Sequence, residues 1–198
     1  GDSVVTLDYQ VATGADDGYW YMSFYKTTPK LILGGLSGDP RNIFCRWAGV
    51  TIPAGAKITS AYVSFRFYNY SGTPPKCKLY FEDAANPSAV SSASDGDSRV
   101  KTTANIDVTG PTSGEWWDTD SIVSIIQELV DSYDYGAGSA MQMIILGDPS
   151  NNFSQQSAYE DGKSDGLWAP KLHIEYSFGD HCTSSSRGMF RGMFNKMR

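Results

Sequence analysis

Residue types that perform acid–base or nucleophilic chemistry are few in this sequence, and they form no recognisable catalytic set. His173 lies in a predicted strand, and His181 adjoins Cys182 in a serine-rich stretch. No G-x-S-x-G, H-E-x-x-H or P-loop pattern occurs. The adjacent carboxylates of Glu82 and Asp83 could support acid–base work, but neighbouring acids in loops are usually solvated. The sequence therefore predicts that the protein is not an enzyme.

Aromatic side chains carry a stronger signal, and this signal indicates binding. Sugar rings expose an apolar face that stacks on Trp or Tyr, while nearby polar side chains bond the hydroxyl groups. The chain has 5 Trp and 12 Tyr, which are dense in DDGYWYMSFY and RFYNYSG. The alternative interpretation is that these rings fill a wide core and brace loops. The candidates for glycan binding are Trp20, Tyr21, Tyr68, Trp116 and Trp117.

Two of these candidates, Trp116 and Trp117, are adjacent in the chain. In an extended strand, successive side chains point to opposite faces, so both rings cannot enter one core. We therefore expect one of the two to be exposed or to be covered by a partner.

Loop carboxylates raise the question of a bound metal ion. Ca²⁺ prefers carboxylate and carbonyl oxygens, so Asp16, Asp17, Asp161 and Asp165 are candidate ligands for a structural calcium ion. No dense D-x-D-x-D-G loop accompanies them. The sequence therefore predicts no cofactor, with structural calcium as the alternative.

The last twelve residues, RGMFRGMFNKMR, repeat basic and apolar residue types every four positions. This period would gather Met and Phe on one side of a helix, but each glycine costs a helix about 1 kcal/mol. We expect this segment to dock on a protein partner, either a neighbouring copy or a shell protein. The alternatives are a membrane-surface anchor and a frayed terminus. The predicted docking residues are Arg187, Met189, Phe190, Arg191, Met193, Phe194 and Met197.

Charge is unevenly distributed along the chain. All 22 acidic residues lie at or before Asp180, whereas four of the 16 basic residues follow it, so the first 180 residues carry −10 and the remainder carries +4. An acidic body lacks the basic face that phosphate contacts need, which argues against nucleic-acid binding. No apolar run approaches the roughly 20 residues of a membrane span, and no signal peptide is visible at GDSVVTLDYQ.

Short alternating segments separated by turn residues dominate the body. KITSAYVSFRFYNY places Val63 and Phe65 on one face of a strand, with Ser64 and Arg66 on the other. TDSIVSIIQELVDSY instead has the apolar stripe of a surface helix, predicted over the Ser121–Ser132 region. The predicted fold is an all-β antiparallel sandwich or jelly roll with one short amphipathic helix. Residues 1–178 form this domain, and residues 179–198 form a serine-rich linker and docking tail.

Three cysteines, Cys45, Cys77 and Cys182, make an odd number without close spacing. A disulfide framework normally needs an even set, so reduced and partly buried thiols are the prediction. A bridge between Cys45 and Cys77 across the sandwich is the alternative.

Three sequence blocks carry a resemblance to a known family. They are RNIFCRWAGVTIPAGAKITSAYVSFRF, SIVSIIQELVDSYDYGAGSAMQMIILG and SAYEDGKSDGLWAPKLHIEYS, and together they span about residues 40–177. Their order and spacing resemble the DNRLRE-type domains, a jelly-roll family of extracellular bacterial proteins related to certain carbohydrate-binding modules. The family's naming motif is only echoed here, by Arg41, Asn42 and Arg46. The resemblance implies a jelly-roll fold, and it implies function only weakly because such sandwiches serve as sugar binders, spacers and surface decorations.

Two function classes follow from these features. The first is a non-catalytic structural or recognition protein, namely a decoration module of a virion or similar particle that is docked by its C-terminal tail among other subunits in multiple copies. The second is a secreted carbohydrate-binding module of a polysaccharide-processing or adhesion system. Localisation on a virion or in a cell-surface or extracellular assembly fits both.

Overall fold

The computed structural model describes residues 3–162 and 165–178. Within them the chain forms twelve strands and two short helices. The predicted docking residues of the tail, and Cys182, lie outside the described residues. The strands are β1 (Val4–Gln10), β2 (Asp17–Trp20), β3 (Phe24–Lys26), β4 (Lys30–Leu36), β5 (Asp39–Val50), β6 (Lys57–Ser71), β7 (Cys77–Phe81), β8 (Ile106–Val108), β9 (Trp116–Asp118), β10 (Ser139–Leu146), β11 (Phe153–Ser157) and β12 (Lys171–Ser177), and the helices are α1 (Ala93–Ser98) and α2 (Val123–Ser132).

All pairings among these strands are antiparallel. Hydrogen-bonded neighbours in the sheet have the order β1-β12-β6-β11-β4-β5-β10-β7-β8. In addition, β2 pairs with β3 and β5, and β9 pairs with β6. The sheet curls around a core that includes Trp47, Phe65 and Phe81. The fold is therefore all-β and sandwich-like, as the spacing of alternating segments predicts.

The predicted amphipathic helix forms as α2. Its apolar stripe packs against the core, and α2 lies against β6 and β7. Apolar residues recur at three- and four-residue intervals, which places them on one side of a helix. The fully or nearly fully buried members of the stripe are Ile125, Ile126, Leu129 and Val130.

The structure contains a second helix, α1, that the sequence did not predict. The Ser92 hydroxyl caps it by accepting the Asp95 N–H at 3.0 Å, and Arg99 holds the Asp95 carboxylate at 2.7 Å. A Cβ atom added to Gly96 would lie 2.5 Å from Cε2 of Trp20. Because only glycine allows this approach, α1 can lie directly on the indole ring.

Cys45 and Cys77 are buried free thiols. The alternative of a bridge between them is therefore wrong, and the prediction of reduced thiols is confirmed for this pair. Burial raises the pKa of the Cys77 thiol to about 11. This thiol is accordingly protonated and a poor nucleophile at neutral pH.

We expect Ile125→Asp to destabilise the protein by about 3–5 kcal/mol, because it places an unpaired charge in a fully buried contact. Ser124→Asp is the matched control, since Ser124 is exposed on the same helix. Urea unfolding followed by circular dichroism measures both. Equal, small effects of the two changes would contradict the packing of the stripe.

Candidate functional site

The outward face of β6 supplies the candidate site. Side chains alternate along this strand, so Val63 and Phe65 are fully buried while Ser64 and Arg66 are only partly covered. Tyr68 continues the outward series and is 37% exposed. Because each outward side chain is separated by one residue from a core side chain, the packing of the core determines where Arg66 and Tyr68 lie.

Strand β9 adds the adjacent tryptophans beside β6. Trp117 packs on Phe65 with 5.4 Å between ring centroids, and its indole N–H donates to Gln156 Oε1 at 2.6 Å. Trp116 lies on the outward side, where Lys171 Nζ is 4.2 Å from its ring centroid. The two rings therefore face opposite sides of the strand, but both residues are partly buried, so neither is the exposed ring that the sequence predicts.

A groove of about 400 Å³ lies on the outward side between β6, the end of β11 and the loop that joins β11 to β12. We call it the Arg66–Trp168 groove. It combines three aromatic side chains with a guanidinium, an amide and hydroxyl groups. Its lining residues are Arg66, Phe67, Tyr68, Asn69, Ser157 and Trp168.

Two cationic side chains lie against the aromatic rings of this groove. The Arg66 guanidinium carbon lies 4.7 Å from the Trp168 ring centroid, and its Nη1 lies 3.1 Å from Glu115 Oε2. Lys30 Nζ lies 4.5 Å from the ring centroid of Tyr68. Contacts of this kind hold a cation over an aromatic face with about 0.5–1 kcal/mol at exposed sites. Arg66 is therefore a positioned donor, held between a ring and a carboxylate.

The Ser157 hydroxyl lies at the floor of the groove. Ser157 is only 1% exposed, and within the described part of the chain its Oγ has no hydrogen-bond partner. A buried hydroxyl group left unpaired costs about 1–3 kcal/mol. A ligand hydroxyl that reached this atom would recover that cost.

The structure corrects one candidate for glycan binding. Trp20 is fully buried, and its indole N–H donates to Asp97 Oδ1 at 2.8 Å. Its ring packs on Phe44 with 6.4 Å between ring centroids. The prediction that Trp20 is a stacking residue is therefore wrong, since no ligand can reach a side chain enclosed by α1 and the sheet.

Tyr21 lies apart from the groove, at the turn between β2 and β3. With Met22 it lines two clefts of about 520 and 330 Å³, neither of which shares a lining residue with the Arg66–Trp168 groove. Of the five candidates, only Tyr68 lines the groove itself, and Trp116 lies opposite Arg66 in the β6–β9 pair. The sequence did not single out Trp168 or Ser157, which reach the groove from the β11–β12 loop and the end of β11.

Two of the four calcium candidates, Asp16 and Asp17, are held by other contacts. The Asp16 carboxylate forms an ion pair with Arg46 at 3.0 Å. Asp17 is fully buried, and its Oδ2 accepts the Tyr159 N–H at 2.8 Å. Asp161 and Asp165 line a small cleft of about 170 Å³. Among residues 3–162 and 165–178, no group of three or more His, Cys, Asp or Glu side chains is arranged to hold a metal ion.

The adjacent acids Glu82 and Asp83 have structural partners. Arg99 Nη1 lies 3.0 Å from the Glu82 carboxylate, and Gln142 Nε2 donates to it at 2.6 Å. The Tyr133 hydroxyl donates to Asp83 Oδ1 at 2.9 Å. These contacts join the end of β7 to the segments around α1 and α2. Glu82 and Asp83 therefore stabilise the fold.

The sequence matches no protein-family model and no curated protein. The resemblance to the DNRLRE-type domains therefore stays a prediction. Neither of the two helices that the structure describes has the length and apolarity that crossing a membrane requires.

We expect stability to fall as pH rises from about 4 to about 7 because of Asp17. Burial, with smaller effects from the nearby Glu160 and Asp16 charges, raises the pKa of Asp17 from 3.8 to about 7. In this range the folded protein keeps a proton that the unfolded chain releases, so unfolding becomes more favourable with rising pH. The loss is up to about 4 kcal/mol.

Urea unfolding at pH 5 and pH 8 measures this effect. Asp17→Asn should flatten the difference between the two pH values, because the amide cannot ionise. The exposed Asp120 provides the control, and Asp120→Asn should leave the difference unchanged. A wild-type protein that is more stable at pH 8 than at pH 5, with Asp17→Asn behaving identically, would contradict the assignment.

Proposed function

We propose that the protein is a non-catalytic recognition module that binds a glycan in the Arg66–Trp168 groove. The observation that carries this proposal is the combination of three aromatic side chains with positioned polar groups in one open groove. Sugar recognition needs this pairing, because the ring faces of a sugar are apolar and its edge carries hydroxyl groups.

Charge narrows the class of glycan. The first 180 residues carry a net charge of −10, yet Arg66 lines this groove and Lys30 lies against the ring of Tyr68. A positioned guanidinium binds carboxylate or sulfate groups more strongly than neutral hydroxyls. We therefore favour glycans that carry acidic groups over neutral ones.

We expect Trp168→Ala to weaken glycan binding at least about tenfold, the factor that corresponds to about 1.4 kcal/mol, because it removes a stacking face and releases Arg66. Gel retardation and calorimetry against a panel of neutral and acidic polysaccharides measure this. Tyr62→Ala is the control, since Tyr62 is another partly exposed aromatic residue of β6 but stacks on His173 at 4.5 Å, outside the groove.

Arg66→Gln tests the contribution of the positive charge, because it removes the guanidinium and leaves the aromatic rings of the groove in place. It should weaken binding of acidic polysaccharides more than that of neutral ones, and melting temperatures of all three variants should stay near that of the wild type. If no polysaccharide in the panel retards the wild type, glycan binding is excluded. If Trp168→Ala and Tyr62→Ala behave alike, the site lies elsewhere.

A second function is favoured by the C-terminal tail. The segment after Asp180 carries +4 and two RGMF repeats, whereas the preceding residues carry −10. Buried Met and Phe side chains contribute about 1.5–3 kcal/mol each, and the opposite charges draw the tail to acidic surfaces. We propose that the tail attaches this module to a larger assembly, such as a virion or similar particle. Glycan binding by the body is compatible with that role.

Deleting residues 187–198 should abolish attachment to the assembly and leave the melting temperature nearly unchanged. Phe190→Ala combined with Phe194→Ala should cause most of the same loss, because these rings are the largest apolar groups of the repeat. Lys196→Ala should mainly change the salt dependence. Co-sedimentation with the particle and thermal unfolding measure these effects. Normal attachment of the truncated protein, or unfolding of its body, would refute the docking role.

A further inference from the structure

Strand β1 lies at one end of the sheet and has an open edge. It pairs with β12 along its whole length, from Val4 opposite Ser177 to Gln10 opposite Lys171. In the part of the chain that the structure describes, β1 has no other strand partner. Half of the backbone N–H and C=O groups of such a strand point away from the sheet, so they can pair with another strand.

This edge lacks the features that usually protect an exposed strand. Its seven residues, VVTLDYQ, contain no proline and no lysine or arginine, and the pairing with β12 has no bulge. Val4 and Val5 are 53% and 36% exposed. The strand at the other end of the order, β8, has three residues, and its Asp107 is ion-paired with Lys76 and Lys78. Short length and charge at an edge are features that oppose pairing with another chain.

We propose that β1 pairs antiparallel with β1 of a second copy of this chain, about a twofold axis at Leu7. In this register Thr6 faces Asp8 of the second copy, Val5 faces Tyr9, and Val4 faces Gln10. It is the register that engages all seven residues. It also keeps Leu7 and Tyr9, which pack against the core, on the inner side of both sheets.

Charge and exposed apolar surface support a second copy as the occupant. The single charged residue of β1 is Asp8, which already bonds His173 at 2.7 Å, and the register avoids placing Asp8 directly opposite its equivalent. Phe178, 42% exposed, lies edge-on to Tyr176 at 5.8 Å beside the start of β1. Pairing would therefore cover the backbone groups of this edge and place the exposed Val5 against Tyr9 of the second copy. This proposal does not depend on glycan binding.

The test exploits the Thr6–Asp8 pairing across the interface. Sedimentation velocity of the full 198-residue chain, from about 1 to about 200 µM, should show a monomer–dimer equilibrium. Thr6→Asp places two carboxylates opposite each other at both symmetric positions, so the dissociation constant should rise about tenfold or more. Thr6→Lys, the matched variant, places an ammonium group opposite Asp8 and should leave dimerisation equal or stronger.

Hydrogen exchange localises the contact. Amides of β1 should become more protected with rising protein concentration in the wild type and in Thr6→Lys, and should not in Thr6→Asp. Melting temperatures at about 1 µM check that each monomer is folded. A wild type that stays monomeric up to about 200 µM overturns the proposal. So does a dimer that responds equally to both substitutions, because that dimer would use another surface or register.

Discussion

The fold and the proposed binding site both depend on strand β6. Its 15 residues are hydrogen-bonded to β12 over one half and to β11 over the other, and β9 pairs beside its middle. Shifting the register of a strand by one residue exchanges its two faces. In β6 such a shift would move Phe65 into solvent and Arg66 into the core. The free energy of burying the inward side chains therefore also holds the outward residues of the groove in place.

Local patterns in the sequence predict the strands and helices that bury one face against the core and expose the other to solvent. The alternation of Val63, Ser64, Phe65 and Arg66 predicts β6 with the correct faces, because a strand that is buried on one side needs a period of two. The stripe of α2 is predicted for the equivalent reason, with a period near 3.6. The opposed orientation of Trp116 and Trp117 follows from the same geometry.

Local sequence patterns do not predict elements that are stabilised by residues far away in the chain. Helix α1 has the sequence ASDGDS, which contains no apolar stripe, and it depends on Arg99 and on the fit of Gly96 against Trp20. Burial of Trp20 in turn requires that helix, which is why an aromatic-rich stretch wrongly indicated an exposed ring. The groove has the same character, since Ser157 and Trp168 are about 90 to 100 residues away from Arg66 along the chain. The spacing of these residues in the sequence does not indicate that they lie together. The pairing of β6 with β11 brings them together.

Strand β1 pairs with β12, the last described strand before the C-terminal tail in the sequence. Val4 lies opposite Ser177, so Phe178, the last residue that the structure describes, lies beside the start of β1. In a pair of copies related by a twofold axis at Leu7, the start of one β1 lies opposite the end of the other. The two Phe178 residues are then separated by about six residue steps, or roughly 20 Å, along the paired strands. If the tail docks as proposed, a paired module would carry two such tails to one assembly. Two linked attachments raise the effective affinity of each one, so pairing through β1 and docking through the tail would reinforce each other.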